Sequence, residues 1–193
     1  GFKSGEAFVK LPAQRMNEVI RQVELEGVVA CPAEAVWGLT CDPLSEVAVL
    51  QLLAMKHRSA SKGLIIVAAS SDMFAPLLAP LDLAQRNELE FGWPGPNTWL
   101  VPNRGLYPQW ITGDSDEVAI RVTKAPALAS MSYRLGRPLV STSANPAGAQ
   151  PARHGFQVVR YFGQGLVRAP GMVDLGATPS TIRRVGTGEV LRA

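Results

Sequence analysis

Segments of helical periodicity alternate with short apolar runs along most of this chain. Residues 12–26 space their apolar side chains like a half-buried helix, and residues 28–31 then predict a buried strand that Pro32 ends. The pattern recurs further on, where residues 45–56 predict a helix with Ser45 as its N-cap and residues 64–68 predict a core strand. Strands that alternate with helices in this way predict an α/β fold.

The rest of the chain continues this alternation. Residues 73–91 predict one or two helices broken near Pro76 and Pro80, and further helices are expected at 126–135 and 156–162. Strands are expected at 98–101, 118–122 and 138–140, with short strands and turns at 172–176, 179–182 and 190–192. Because a chain of 193 residues can build one sizeable core and is short for two, we expect a single domain over residues 1–193.

Composition narrows the class of protein. A hydrophobic fraction of 47% and a charged fraction of 18% are ordinary for a folded domain. No apolar run reaches the roughly 18 residues that span a bilayer, and the N-terminus lacks a signal-peptide pattern, so we expect a cytoplasmic protein. The net charge of +3 and the pI near 9.1 permit a polyanionic partner such as RNA without requiring one.

Most of the common catalytic and binding signatures are missing from the sequence. No GxxxxGK[ST] phosphate loop, GxGxxG turn or GxSxG elbow occurs, and His57 and His154 are too few for a metal cluster. Cys31 and Cys41 form neither a CxxC pair nor a disulfide framework, and whether they approach each other stays open. A candidate site must therefore be sought in less general patterns.

Three cations lie around the end of the helix predicted at 45–56. Lys56 and Arg58 alone fit a helix C-terminus, where the macrodipole favours positive charge. Lys62 follows in a serine-rich loop, directly before the strand predicted at 64–68. Anchored cations and hydroxyl donors at the mouth of a core strand suit a polyphosphate, with arginine offering a fork and lysine a point charge. Solvated charge and phosphate binding are both open interpretations of these residues taken alone.

Hydroxyl and amide side chains follow the strand predicted at 138–140. Ser141, Ser143 and Asn145 would lie at the carboxyl end of that strand, where open α/β sheets bind ligands, although a plain turn uses the same residue types. No histidine or paired carboxylate lies nearby in the sequence to activate Ser141 or Ser143 as a nucleophile. Contact with a ligand is therefore the favoured functional interpretation.

Arg121 interrupts the apolar strand predicted at 118–122. It either faces solvent on an edge strand or lies in a cleft, and a buried arginine needs a partner, which a substrate carboxylate would supply. Spacing supports the two alternatives equally. Together, the cation run, the hydroxyl run and Arg121 suggest a site for an anionic nucleotide and a carboxylate-bearing molecule.

Taken in order, six stretches of the sequence closely resemble the YrdC-type family of L-threonylcarbamoyladenylate synthases. They are CPAEAVWGLTCDP (31–43), LLAMKHRSASKGLIIVAA (52–69), WPGPNTWLVP (93–102), VAIRVT (118–123), RPLVSTSANPAG (137–148) and PSTI (179–182). The stretches span almost the whole chain, and KxR joined to STSAN is a specific signal. The resemblance implies a YrdC-like (DHBP-synthase-like) α/β fold, in which a twisted mixed sheet is flanked by helices and carries a basic concave face, in the short single-domain bacterial form.

The resemblance also implies an activity. Members of the family combine L-threonine, bicarbonate or CO2, and ATP into threonylcarbamoyl-AMP and pyrophosphate, and Mg²⁺ is expected to accompany the ATP without a protein metal cage. The product passes to a complex of partner proteins that modifies tRNA next to the anticodon. Binding of tRNA or double-stranded RNA is a further implied property.

Residue by residue, the resemblance assigns roles to both ends of such a site. Lys56 and Arg58 would act catalytically, by binding the ATP phosphates and offsetting charge as pyrophosphate leaves. The remaining ATP contacts would be Lys62, Ser143, Asn145 and Arg192, and the threonine contacts would be Ala33, Arg121, Ser141 and Ser180.

Four positions depart from the family pattern. Ala33 replaces a threonine that lines the amino-acid site, Thr40 replaces a glycine, Glu117 stands where a small hydroxyl is common, and Arg184 replaces an aspartate. These departures keep two alternatives open beside the synthase. One is an RNA-binding or ribosome-maturation module without catalysis, and the other is a degenerate homologue or an enzyme for another amino acid.

Overall fold

The computed structural model describes residues 11–192, in which strands and helices alternate as expected. The strands are β1 (Val29–Pro32), β2 (Trp37–Cys41), β3 (Ile65–Ala68), β4 (Asn97–Pro102), β5 (Glu117–Val122), β6 (Leu139–Ser143), β7 (Thr181–Arg184) and β8 (Val190–Arg192). The α-helices are α1 (Ala13–Glu24), α2 (Glu46–Lys56), α3 (Ala75–Leu78), α4 (Leu83–Phe91), α5 (Gln109–Thr112), α6 (Pro126–Leu135) and α7 (Gly155–Phe162), with short 3-10 turns at Ala60–Lys62 and Ser71–Phe74.

All eight strands form one sheet in the order β1-β2-β6-β3-β5-β4-β7-β8. The pairs β3–β5 and β4–β7 are parallel and the other neighbours are antiparallel, so the sheet is mixed. This architecture confirms the α/β fold class expected from the sequence.

The two faces of the sheet are covered unequally. Ile66 belongs to a larger core that contains Leu52 of α2, whereas its neighbour Val67 belongs to a smaller core with Val19 of α1 and Leu128 of α6. Alternate side chains of a strand point to opposite faces. Because Arg121 of β5 pairs with Val67 of β3, its side chain lies on the face that α1 and α6 cover. A cavity lined by Arg121 opens beside this smaller core.

Local signals explain the helices around the site. Buried Met16, Val19, Ile20 and Val23 give α1 its apolar face, and the helix ends at Glu24, two residues earlier than expected. The Ser45 hydroxyl accepts a hydrogen bond from Ala48 N at 3.2 Å and caps α2 as predicted.

Two expectations about secondary structure need correction, because β2 is a strand that the sequence did not predict and β6 continues through Ser143 instead of ending at Val140. Of the short strands and turns expected near the C-terminus, residues 172–176 contain a turn at 175–176. The helical region at 73–91 is broken as predicted, with Pro76 in the first turn of α3 and Pro80 between α3 and α4.

Two observations concern membranes and targeting. None of the helices within residues 11–192 has the length and apolar character needed to cross a bilayer. The expectation about a signal peptide concerns the N-terminus, and residues 1–10 lie outside the described part of the chain.

Candidate active site

A cavity of about 640 Å³ lies against the sheet and brings together most of the predicted site residues. Its lining includes Ala33, Arg58, Lys62, Arg121, Ser141, Ser143, Ser180 and Arg192. Lys56 and Asn145 are not part of this lining. Residues separated by up to 159 positions in the chain therefore meet in one place, from Ala33 to Arg192.

Lys56 joins the cation run to the hydroxyl run. Its side chain is 4% exposed, and Nζ donates to the carbonyl oxygens of Ser143 and, at 3.2 Å, Asn145. The Ser143 hydroxyl and the Asn145 side-chain oxygen each lie 3.4 Å from the same nitrogen. Burial, followed by the charge of Arg58, lowers the pKa of Lys56 to about 8. Lys56 thus holds the Ser143–Asn145 segment in place from behind the cavity wall.

Arg58 lies in the loop that follows α2. His57 adopts a left-handed conformation (φ 51°) that ends the helix and turns the chain toward the cavity. Arg58 Nη2 donates to Gly63 O at 2.9 Å, so a hydrogen bond from the arginine side chain joins the two ends of the loop from Arg58 to Gly63. Arg58 Nε is buried and has no hydrogen-bond partner within residues 11–192. A guanidinium group has five N–H donors, and the bond to Gly63 O uses one of them, so this arginine retains donor capacity for a ligand in the cavity that it lines.

Backbone contacts anchor the loop that carries Lys62 to the region of α5. Leu64 N donates to Ile111 O at 2.8 Å, and Asp114 N donates to Ser61 O at 3.2 Å. The approach is so close that a Cβ on Gly113 would lie 2.3 Å from Ser61 O. Lys62 is an exposed residue, yet its loop is fixed at both ends.

Positive charge is concentrated in the cavity. Burial and the neighbouring Arg192 lower the pKa of Arg58, and burial and the neighbouring Arg121 lower that of Arg192. Beside the larger effect of burial, the guanidinium group of Arg192 repels that of Arg58, and the guanidinium group of Arg121 repels that of Arg192. A bound polyanion would relieve that repulsion, so the geometry favours a ligand with several negative charges.

Arg121 is 7% exposed and lies in the cleft, which settles the alternative that the sequence left open. It already has a partner, because its Nη1 lies 2.6 Å from Glu34 Oε2. Glu34 Oε1 accepts hydrogen bonds from the Thr123 hydroxyl and, at 3.0 and 3.2 Å, from the N–H groups of Lys124 and Ala125. Burial raises the pKa of Glu34, but Arg121 and these hydrogen bonds outweigh it and hold the pKa below its usual range. Glu34 was missed as a site residue, although it is the single charge in residues 28–41.

The serines line the cavity between these charges. The Ser180 and Thr98 hydroxyls are hydrogen-bonded, and Arg192 Nη2 lies 3.4 Å from Ser180 O. Gly38 faces Ser141, and a Cβ there would lie 3.0 Å from the Ser141 hydroxyl. The site therefore has small residues where strands β2 and β6 form its floor.

Two of the sequence departures contact each other. Arg184 Nη2 lies 3.0 Å from Glu117 Oε1, and Arg184 Nε lies 3.1 Å from both carboxylate oxygens. Glu117 lines the cavity, so its charge is balanced by a residue on the neighbouring part of the sheet. Thr40 is fully buried, and its hydroxyl has no hydrogen-bond partner in the described chain.

Within residues 11–192, no group of three or more His, Cys, Asp or Glu side chains is arranged to hold a metal ion. The polar side chains of the cavity lining are mainly cations and hydroxyl groups, which bind anionic oxygen atoms.

Comparison with known proteins adds independent information. A family model for Sua5, YciO and YrdC, described as "Telomere recombination", matches residues 21–193. The chain is 48% identical over 179 residues to a threonylcarbamoyl-AMP synthase of Cellvibrio japonicus, covering 92% of this chain and 95% of that protein. It is 49% identical over 179 residues to a threonylcarbamoyl-AMP synthase of Stutzerimonas stutzeri, covering 92% and 96%. A crystal structure of P. abyssi Sua5 complexed with L-threonine is 26% identical, with a TM-score of 0.80 over 94% of this chain and 54% of that one.

Proposed function

The chain belongs to the Sua5/YciO/YrdC family, and we propose on that premise that it is a threonylcarbamoyl-AMP synthase. The reaction combines L-threonine, bicarbonate or CO2, and ATP into threonylcarbamoyl-AMP and pyrophosphate. Relatives that carry this name match nearly the full chain at 48 and 49% identity. The Sua5 protein crystallised with L-threonine has the same fold.

One observation carries the proposal. The cations predicted to bind phosphate and the arginine predicted to bind a carboxylate line the same cavity of about 640 Å³. Small-molecule sites commonly have volumes of about 300–1,000 Å³. A cavity of this volume suits a nucleotide and an amino acid better than it suits an RNA duplex, so the RNA-binding module without catalysis is not favoured.

The positions of the side chains suggest how the roles divide. Arg58, Lys62 and Arg192 line the cavity and would contact the ATP phosphates, with Ser143 contributing a hydroxyl group. Arg121, Ser141 and Ser180 would surround the threonine, and Ala33 would border it. Lys56 and Asn145 would act through Ser143, because their side chains bind that segment from behind.

The reaction requires the protein mainly to position the substrates and to stabilise the charge that develops. The threonine amine, once deprotonated, attacks CO2 to give a carbamate, and a carbamate oxygen then attacks the α-phosphorus of ATP while pyrophosphate leaves. Negative charge moves onto the leaving pyrophosphate, which Arg58, Lys62 and Arg192 would stabilise. Mg²⁺ would enter as part of the ATP substrate and neutralise phosphate oxygens.

The proposal extends to the fate of the product. Threonylcarbamoyl-AMP would pass to the proteins that modify tRNA next to the anticodon, and the activity would then lie in the cytoplasm. Binding of tRNA or double-stranded RNA, and the basic concave face implied by the family resemblance, belong to the same proposal.

The test is release of pyrophosphate from ATP in the presence of L-threonine and bicarbonate, with each substrate omitted in turn. The wild-type protein should release pyrophosphate only with all three substrates, and Arg58→Ala should reduce the rate by at least about a hundredfold. Arg86→Ala is a matched control, because Arg86 is an exposed arginine of α4 away from the cavity. Absence of pyrophosphate with all substrates present would overturn the proposal, and RNA affinity that survives Lys56→Ala would then favour the RNA-binding alternative.

A further inference from the structure

The ion pair between Glu34 and Arg121 has unused hydrogen-bonding capacity at a defined atom. Glu34 Oε1 accepts from the Thr123 hydroxyl, from Lys124 N at 3.0 Å and from Ala125 N at 3.2 Å. Glu34 Oε2 accepts only from Arg121 Nη1, at 2.6 Å, among the described residues. An ionised carboxylate has about four acceptor positions, two on each oxygen. One acceptor position therefore remains on Oε2, directly beside a guanidinium group.

Glu117, the other acidic residue of the cavity lining, has a different arginine as its partner. Both oxygens of Glu117 accept from Arg184 Nε at 3.1 Å, and Oε1 also accepts from Nη2 at 3.0 Å. Arg184 is not part of the cavity lining, whereas Arg121, the partner of Glu34, lines the cavity. Glu34 is therefore the carboxylate that has a guanidinium group beside it inside the cavity, which is the pair of charges that a zwitterionic ligand requires.

An α-amino acid carries an ammonium group and a carboxylate on the same carbon atom. Glu34 and Arg121 present the complementary charges side by side in the cavity wall. Arg58 and Arg192 keep the surrounding charge positive, so a substrate carboxylate is still attracted although Arg121 has a partner. We propose that Glu34 Oε2 binds the α-ammonium group of the amino-acid substrate while Arg121 binds its carboxylate. This inference rests on the proposed function and names how that site selects an amino acid.

The environment of Glu34 suits this role. Its pKa is held below the usual range by Arg121, the Thr123 hydroxyl and Lys124 N despite the opposing effect of burial, so the carboxylate is charged at neutral pH. The backbone is fixed too, because Asp174 N donates to Glu34 O at 2.8 Å. A charged group held in position before binding loses little freedom when the ligand arrives. A carboxylate with a lowered pKa is a weak base, so Glu34 is assigned binding and specificity and not proton removal.

The test compares L-threonine with 3-hydroxybutanoate, which has the same carbon skeleton without the amine. Binding is measured by isothermal titration calorimetry without ATP, on the wild type, Glu34→Gln and Glu117→Gln. The wild type should prefer threonine by on the order of ten- to a hundredfold, the worth of one charge-assisted hydrogen bond. Glu34→Gln keeps an acceptor for the Thr123 hydroxyl but removes the charge, so the preference should fall to about one. Glu117→Gln makes the same chemical change at the other lining carboxylate and should retain the preference.

The outcomes separate this inference from the proposed function. An unchanged preference in Glu34→Gln overturns the inference, even if the wild type releases pyrophosphate. A preference that depends on Glu34, without pyrophosphate release, supports the inference and overturns the proposed function. If thermal denaturation shows that Glu34→Gln does not fold, the wild type decides, since equal binding of the two ligands overturns the inference and a tenfold preference supports it.

Discussion

Lys56 Nζ lies 3.2 Å from the carbonyl oxygen of Asn145, so the cation that ends α2 is bound by the segment that follows β6. The contact joins two motifs that are 89 positions apart in the chain. Lys56 itself is not part of the cavity lining, whereas Arg58 and Lys62 are. A lysine that resembles a phosphate ligand in the sequence therefore has a structural contact of its own, and stability measurements can detect it.

Replacing Lys56 with Met should destabilise the protein. The change removes a charged donor from the partly buried carbonyl oxygens of Ser143 and Asn145, and a hydrogen bond to a charged group contributes about 1.5–3 kcal/mol. Lys62→Met is the matched control, because that exposed side chain should contribute less than about 0.5 kcal/mol. Urea denaturation measures both free energies of unfolding, and equal losses in the two variants would contradict the structural role of Lys56.

The same residue predicts a pH dependence of stability. Burial, and then Arg58, lower the pKa of Lys56 from its ordinary value of 10.5 to about 8. Between these values the unfolded chain binds more protons than the folded protein, so the contribution of Lys56 to stability rises as pH increases and is constant below about pH 8. The free energy of unfolding of the wild type minus that of Lys56→Met should therefore increase from about pH 8 to about pH 10. A flat difference across this range would show that the amine titrates as in the unfolded chain, and a falling difference would show that folding raises its pKa; either would contradict the lowered pKa.

Local patterns predicted the elements whose causes are local. The helices α1, α2 and α6 follow from apolar spacing, from the Ser45 cap and from Gly136 in a left-handed conformation after α6. β2 escaped prediction because WGLTC is entirely buried and shows no alternation of polar and apolar residues. Its strand character comes from pairing with β1 on one side and with β6, about a hundred residues away, on the other. The pairing with β2 also extends β6 through Ser143.

The residues of the candidate site also divide into those that a local sequence pattern predicts and those that depend on distant contacts. Arg58, Lys62 and Arg121 could be found because cations beside a core strand are unusual in sequence, and all three line the cavity. The partners of these charges could not be found in this way. Glu34, in the turn between β1 and β2, meets Arg121 across 87 positions, and Glu117 meets Arg184 across 67 through the register of β5, β4 and β7. Tertiary structure and not sequence proximity therefore decides which charges pair.

The Glu117–Arg184 pair predicts an effect on ATP binding. Arg184→Met leaves an unbalanced carboxylate in the cavity lining, which should repel phosphate and raise the KM for ATP several-fold. Stability should change by no more than about 1 kcal/mol, because the pair is partly exposed to solvent. The double variant Glu117→Gln, Arg184→Met should recover most of the lost affinity. If the double variant is as impaired as the single one, Arg184 acts on ATP by another route.

The two cysteines should be unreactive and unpaired in the folded protein. Cys31 packs in the smaller core and Cys41 in the larger one, so they lie on opposite faces of the sheet. Burial raises the pKa of each thiol, and the neighbouring Glu34 and Asp42 carboxylates add to that effect. Dithiobisnitrobenzoate should therefore react with neither thiol in the native protein and with both in urea. Rapid reaction of either thiol without urea would contradict the buried placement.

The close contact of Gly113 with the loop that carries Lys62 predicts that this loop requires a glycine at position 113, although the two are far apart in the chain. Gly113 has φ +64°, and a Cβ there would lie 2.3 Å from Ser61 O and 2.8 Å from Gly63 N. Gly105 has a similar φ of +73° but no atom within 4 Å of its Cβ position, so it isolates the cost of a positive φ. We expect Gly105→Ala to cost about 1 kcal/mol and Gly113→Ala about 2–4 kcal/mol, because the latter adds a clash with backbone atoms that must move. Since Ser61 and Gly63 flank Lys62, only Gly113→Ala should also raise the KM for ATP. Equal free energies of unfolding and equal KM values in the two variants would show that the loop adapts without displacing Lys62.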